Sequence, residues 1–111
     1  VPAKSAVIYS TVNSFLLSRG GRWPDNRIEA TSAEFSRSIL MQSNSIWVIS
    51  KGVAEASVRA GVLSFLNTDT DDTIGAIGIT QAIDSEELVH TEIMLKALRQ
   101  AAKDMQKELQ I

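Results

Sequence analysis

The sequence predicts an all-α fold, a compact bundle of four to five helices with a long C-terminal helix. Three observations point there. The segment from Asp84 to Leu109 carries Leu88, Leu95, Leu98, Ala102, Met105 and Leu109 at steps of three and four residues, which places them on one helical stripe. Capping patterns precede two of the apolar-periodic segments, and a Gly-Gly pair closes a third. Charges at positions 51, 55 and 59 keep helical spacing.

Taken in order, Ser5 to Arg19 is predicted helical, with Ile8, Val12, Phe15 and Leu16 on one face and Gly20-Gly21 as the stop. A loop from Gly20 to Ala30 follows, punctuated by Trp23-Pro24-Asp25-Asn26. Thr31 with Glu34 forms a capping-box pattern that opens a helix to about Gln42, burying Phe35, Ile39 and Leu40. Ser43 to Leu66 is read as helix because Ile46, Ile49, Val53, Ala56, Ala60 and Leu63 alternate steps of three and four. Gly52 and Gly61 weigh against it, at about 1 kcal/mol each in a helix interior. Asn67 to Thr73 is a polar acidic loop. The alternative architecture is α+β, with a small sheet from residues 46–49 and 74–79. Asp84 and Glu87 supply an N-cap signature for the last helix, and Lys96, Arg99, Lys103 and Lys107 favour its C-terminal end.

The chain has 111 residues, one domain's worth, and is read as a single helical domain over 1–111. Aromatic residues make up 5%, so the core must be built from aliphatic and small side chains. Eleven basic and thirteen acidic residues give a net charge of -2, which exerts no global pull toward nucleic acid or anionic membrane. There is no cysteine, so disulfides, thiolate chemistry and Cys-based zinc sites are excluded. No apolar run is long enough to span a bilayer, and a soluble, cytoplasmic protein is the expectation. The chain opens on Val1-Pro2 without an initiator Met, which suggests processing or excision from something longer.

Few constellations carry chemistry. Glu87 and His90 form a Glu-x-x-His pair, whose side chains would share one side of a helix and could ligate one metal ion. A second copy, with Glu55 or Glu34, would have to complete the site; the plainer reading is a solvated acidic first turn. Asp69, Asp71 and Asp72 resemble a calcium loop but fail it, with Asp72 where Gly is required and Gly78 where Glu is required. Lys96, Arg99 and Lys103 form a stripe that could track phosphates, although Glu92 and Asp104 offset it and no aromatic residues interleave. Arg22, Trp23 and Arg27 make the loop at 20–30 a candidate partner surface. Ser50, Ala54, Ser57, Gly61 and Ser64 form a small-residue stripe suited to close helix packing. The last helix would extend for about 39 Å, longer than a core of this size requires. Ser57, Gly61, Leu95, Leu98 and Met105 are therefore the candidate interface.

No catalytic motif or glycine-rich phosphate loop is present, and no cofactor is implied. The function expected from sequence is a non-enzymatic assembly domain that forms homo-oligomers or binds a protein partner by helix packing. An inter-subunit metal site and a nucleic-acid accessory role are the alternatives. Nucleic acid is not expected as a partner, and neither is membrane insertion.

Overall fold

A computed structural model of the chain describes residues 1–82 and 89–109, with the side chains of the last helix as far as Lys107. The fold is all-α. Four α-helices occur among the described residues: α1 (Tyr9–Ser18), α2 (Ala33–Met41), α3 (Lys51–Arg59) and α4 (Val89–Leu109), with a 3-10 turn at Asp71–Thr73 between the last two. No strand forms among the described residues; the one ladder contact is an isolated parallel bridge between Pro2 and Ala30. The alternative sheet from residues 46–49 and 74–79 is therefore not formed. The chain divides into two units, Val1–Ala76 and Ile77–Ile111.

In the first unit, α1 keeps Ile8, Val12, Phe15 and Leu16 half-buried, the face its periodicity predicts. It ends where the Gly-Gly pair demands. Gly20 adopts φ 68°, and the amides of Gly20 and Gly21 donate to Leu17 and Leu16 carbonyls at 3.0 and 2.8 Å. Helix α2 starts one residue later than the Thr31 pattern suggests. Ser32 is the N-cap, and its hydroxyl accepts the Phe35 amide at 3.2 Å. Ile39 and Leu40 are half-buried, whereas Phe35 stays 49% exposed.

The long helix expected over 43–66 is shorter in the structure. Only Lys51–Arg59 is helical. The β-branched and aromatic run Ile46-Trp47-Val48-Ile49 loses too much rotamer freedom against a preceding helical turn to extend α3 backward. Its other end is fixed by Gly61 at φ 72°, where the Val62 amide turns back to the Ser57 carbonyl at 3.0 Å. The face that turns inward is that of the small-residue stripe, through Ala54 and Ser57. Ala54 and Ser57 are buried, and Val53, Ala56 and Ala60 are exposed. The small-residue stripe packs because Arg37 on α2 reaches over and donates its Nε hydrogen to the Ser57 hydroxyl at 2.9 Å.

The second unit is carried by α4, the long C-terminal helix that the stripe of leucines predicts. Leu95 is half-buried and Leu98 and Met105 are exposed. The N-cap signature at Asp84 and Glu87, together with Leu88, lies outside the described residues, as does the side chain of Leu109.

Two glycine substitutions should have opposite effects. Gly61→Ala forces a side chain into the left-handed region and should destabilise by about 1 kcal/mol. Gly52→Ala, in open space within α3, should stabilise by about the same amount. The midpoint of urea-induced loss of helical circular dichroism measures both; equal shifts in one direction would refute the assignment.

Candidate functional site

The first unit holds a groove of about 400 Å³ between the loop at 24–30, α2 and the segment 44–47. Ile28, Phe35, Ile39 and Leu40 form its apolar wall, Trp47 closes one side, and Asn26, Arg27, Asn44 and Ser45 bring polar groups to its rim. Polar and apolar groups share its lining, so the groove is a shallow mixed surface and not an apolar pocket. Arg27 is not free to sweep across it. Its Nε donates to Glu29 at 3.2 Å and a terminal nitrogen donates to the Pro24 carbonyl at 3.0 Å.

The rest of the predicted partner loop is equally held. Trp23 stacks on Tyr9 with ring centroids 5.0 Å apart and planes 9° from parallel, and its indole N–H donates to Asn13 Oδ1 at 2.7 Å. Trp23 thus pins the loop to α1 and stands half-buried, while Arg22 is exposed. The structure does not gather Arg22, Trp23 and Arg27 into one presenting surface: Arg27 lines the groove and Trp23 packs on α1.

Sequence reasoning missed the most connected ionic group. Arg19, one residue past α1, donates to both carboxylate oxygens of Asp72 at 3.0 and 3.3 Å and to the Asp69 carbonyl at 2.9 Å. Its guanidinium also lies 4.0 Å from the centre of the Phe15 ring. Asp69 in turn accepts the Asp71 amide at 3.1 Å. The acidic loop is thus a docking point for Arg19, a role hidden by fifty residues of separation. Between α1 and the 3-10 turn lies a second hollow of about 370 Å³, lined by Ser10, Thr11, Ser14, Phe15, Ser18, Asp72 and Thr73.

Of the other predicted residues, Ser57 is buried against Arg37, and Gly61 is exposed at the end of α3. Glu55 pairs with Arg59 at 3.3 Å, and Glu34 stands 3.4 Å from the Ser32 hydroxyl. Glu87 lies outside the described residues. His90 is exposed in the first turn of α4, and no cluster of metal-ligating side chains forms among the described residues. Lys96, Arg99 and Lys103 are all exposed on α4 and form no ion pair among the described residues. No helix among the described residues is long and apolar enough to cross a membrane.

Comparison with known proteins supplies what the geometry lacks. The chain is 35% identical over 105 residues, 95% of its length, to the HTH-type transcriptional regulator PcaQ of Agrobacterium fabrum. It has the same identity and coverage with PcaQ of Rhizobium radiobacter. The chain spans about a third of the length of these curated relatives, 34% of each. No protein-family model matches the chain, and no solved structure matches it.

These relatives overturn two expectations. The assembly domain that works through homo-oligomers or a protein partner gives way to similarity with transcriptional regulators. A nucleic-acid partner, set aside on the evenly balanced charge, is what a helix-turn-helix regulator works on. Net charge averages over the whole chain and does not by itself decide against a nucleic-acid partner. The relatives are regulators by name and not enzymes.

The Arg19–Asp72 contact makes a pH prediction. Hydrogen bonding from Arg19 is the main cause that holds the Asp72 carboxyl below its ordinary value of 3.8. A depressed carboxyl stabilises the fold above that value and loses the contribution as pH falls through the folded one. Both side chains are largely exposed, so the effect is modest. In an NMR titration, Asp72 should titrate below an ordinary aspartate, and Arg19→Gln should return it to the ordinary range. An unmoved Asp72 in the variant would disprove the pairing.

Proposed function

We propose that this chain is a segment of a helix-turn-helix-type transcriptional regulator, acting in control of transcription at DNA and not in catalysis. The observation that carries this reading is the 35% identity maintained over 105 residues with two such regulators. Within the regulator, the segment serves as the responding part. A helix-turn-helix joins its two helices by a turn of about three to four residues. Residues 19–32 between α1 and α2, and residues 42–50 between α2 and α3, are both longer than that. The groove at α2 and Trp47 gives the segment a place to receive a signal.

Deleting the coding region in the source organism and profiling its transcripts tests the reading. A small set of operons should change several-fold. Transcript levels that stay constant across growth substrates would sink the regulator assignment.

A second reading concerns α4. Lys96, Arg99 and Lys103 are exposed and unpaired with acidic partners among the described residues, so they are available to phosphates. On this reading α4 adds a sequence-independent contact to a regulator already held on DNA. Replacing one of the three by Ala should weaken DNA binding to all sequences alike. It should also lower the slope of log affinity against log salt by about 1. A slope identical to that of the unaltered protein removes α4 from the interface.

A further inference from the structure

A charge drawn out of water is costly unless an opposite charge or a full set of hydrogen bonds goes with it. Arg37 stands half-buried where α2 meets α3. Its one hydrogen bond among the described residues is the Nε donation to Ser57 Oγ at 2.9 Å. A guanidinium carries five N–H donors and no acceptor, so those on both terminal nitrogens of Arg37 go unanswered there. Arg37 also makes no ion pair among the described residues. The acids of the same two helices are engaged elsewhere. Glu34 accepts from the Ser32 hydroxyl at 3.4 Å, and Glu55 pairs with Arg59 at 3.3 Å.

Ser57 is the second half of the arrangement. It is only 7% exposed, and its oxygen accepts from Arg37. Its own hydroxyl hydrogen meets no acceptor among the described residues. Serines near a helix commonly turn that hydrogen back to the carbonyl four residues earlier. Ser36 does so to Ser32 at 3.0 Å, and Ser43 to Ile39 at 2.7 Å. Ser57 does not, and a buried donor left unpaired costs stability. Two side chains from different helices therefore meet with donors to spare and no acceptor beyond the one already used. Neither lines the groove, so this place is separate from it.

The missing group is an acceptor with negative charge. One cation balances one charge. A phosphate monoester brings about -1.5 to -2, more than Arg37 neutralises, and Glu34 and Glu55 on the same helices oppose the excess. A carboxylate is planar, singly charged and has two oxygens, which suits the flat guanidinium fork. Arg37 is only half-buried, so a carboxylate arriving from solvent keeps its outer side wet. It avoids the desolvation that full burial imposes on an ion, and it exchanges freely.

We infer that the terminal nitrogens of Arg37 and the hydroxyl of Ser57 form a site for the carboxylate group of a small solute, held between α2 and α3.

The Nε–H signals of the arginine side chains test it by NMR, on the protein encoded by the whole reading frame. Arg37→Lys identifies the Arg37 signal by its loss. Sodium acetate, exchanged for sodium chloride at fixed ionic strength, should move that signal along a saturating curve with a midpoint on the order of 10 mM. The other arginine signals should drift without saturating. Ser57→Ala, which leaves a side chain as small as the one it replaces, should raise the midpoint about fivefold. A signal that acetate leaves in place overturns the inference, whether the site is idle or a carboxylate of the polypeptide already fills it. So does a drift shared by all the arginines, and so does a midpoint that Ser57→Ala leaves unchanged. The transcript profile decides the regulator reading separately: a regulator whose Arg37 ignores acetate loses only this site.

Discussion

Arg37 reaches from α2 to α3 and places its Nε hydrogen on the Ser57 hydroxyl, and the order of the first unit depends on that contact. Ser57 and Ala54 are the buried side chains of α3, and both are small. A large residue at either position would push α2 away and open the wall that Phe35, Ile39 and Leu40 give the groove. A neutral hydroxyl meeting a guanidinium is a charge-assisted bond that satisfies a half-buried cation without burying an opposing carboxylate, whose desolvation would be severe. The contact orients the two helices; it does not supply a broad apolar seal. The unit is positioned by directional contacts, with Arg19 on Asp72 and Trp23 on Tyr9 doing for α1 what Arg37 does for α2.

How far the fold was legible depended on whether local sequence decided it. The face of α1 and its Gly20-Gly21 stop, the start of α2 within one residue, and the long α4 follow from periodicity and capping, which act over a few residues. Residues 43–66 were misread because their three-and-four spacing is shared by two structures. Ile46 and Ile49 continue the helical count but are too branched to begin a helix, and Gly61 ends it by adopting a positive φ. Two stripes on α3 competed for burial. Periodicity marks Val53 and Ala56 as apolar, but burial went to Ala54 and Ser57, whose smallness let Arg37 close over them.

The candidate site was less legible. Asp69 and Asp72 announced themselves as a charged turn, and nothing near them in sequence named Arg19 as their partner. Trp23 was read as part of a candidate partner surface, and its direction was set by Asn13 and Tyr9 on another element. The similarity to transcriptional regulators left no motif that the sequence analysis picked out.

The Tyr9–Trp23 stack has an optical consequence. The chain has one tyrosine and two tryptophans. With its ring 5.0 Å from an indole, Tyr9 passes its excitation to Trp23 before it can emit, so the chain's fluorescence is indole emission throughout. Trp23 is clamped by a ring on one face and an amide oxygen at its nitrogen, which fixes its surroundings. Trp47 lines the groove, with no such clamp among the described residues. The two indoles thus divide the signal into a steady reference and a reporter, and a change in colour or intensity on filling the groove belongs to Trp47.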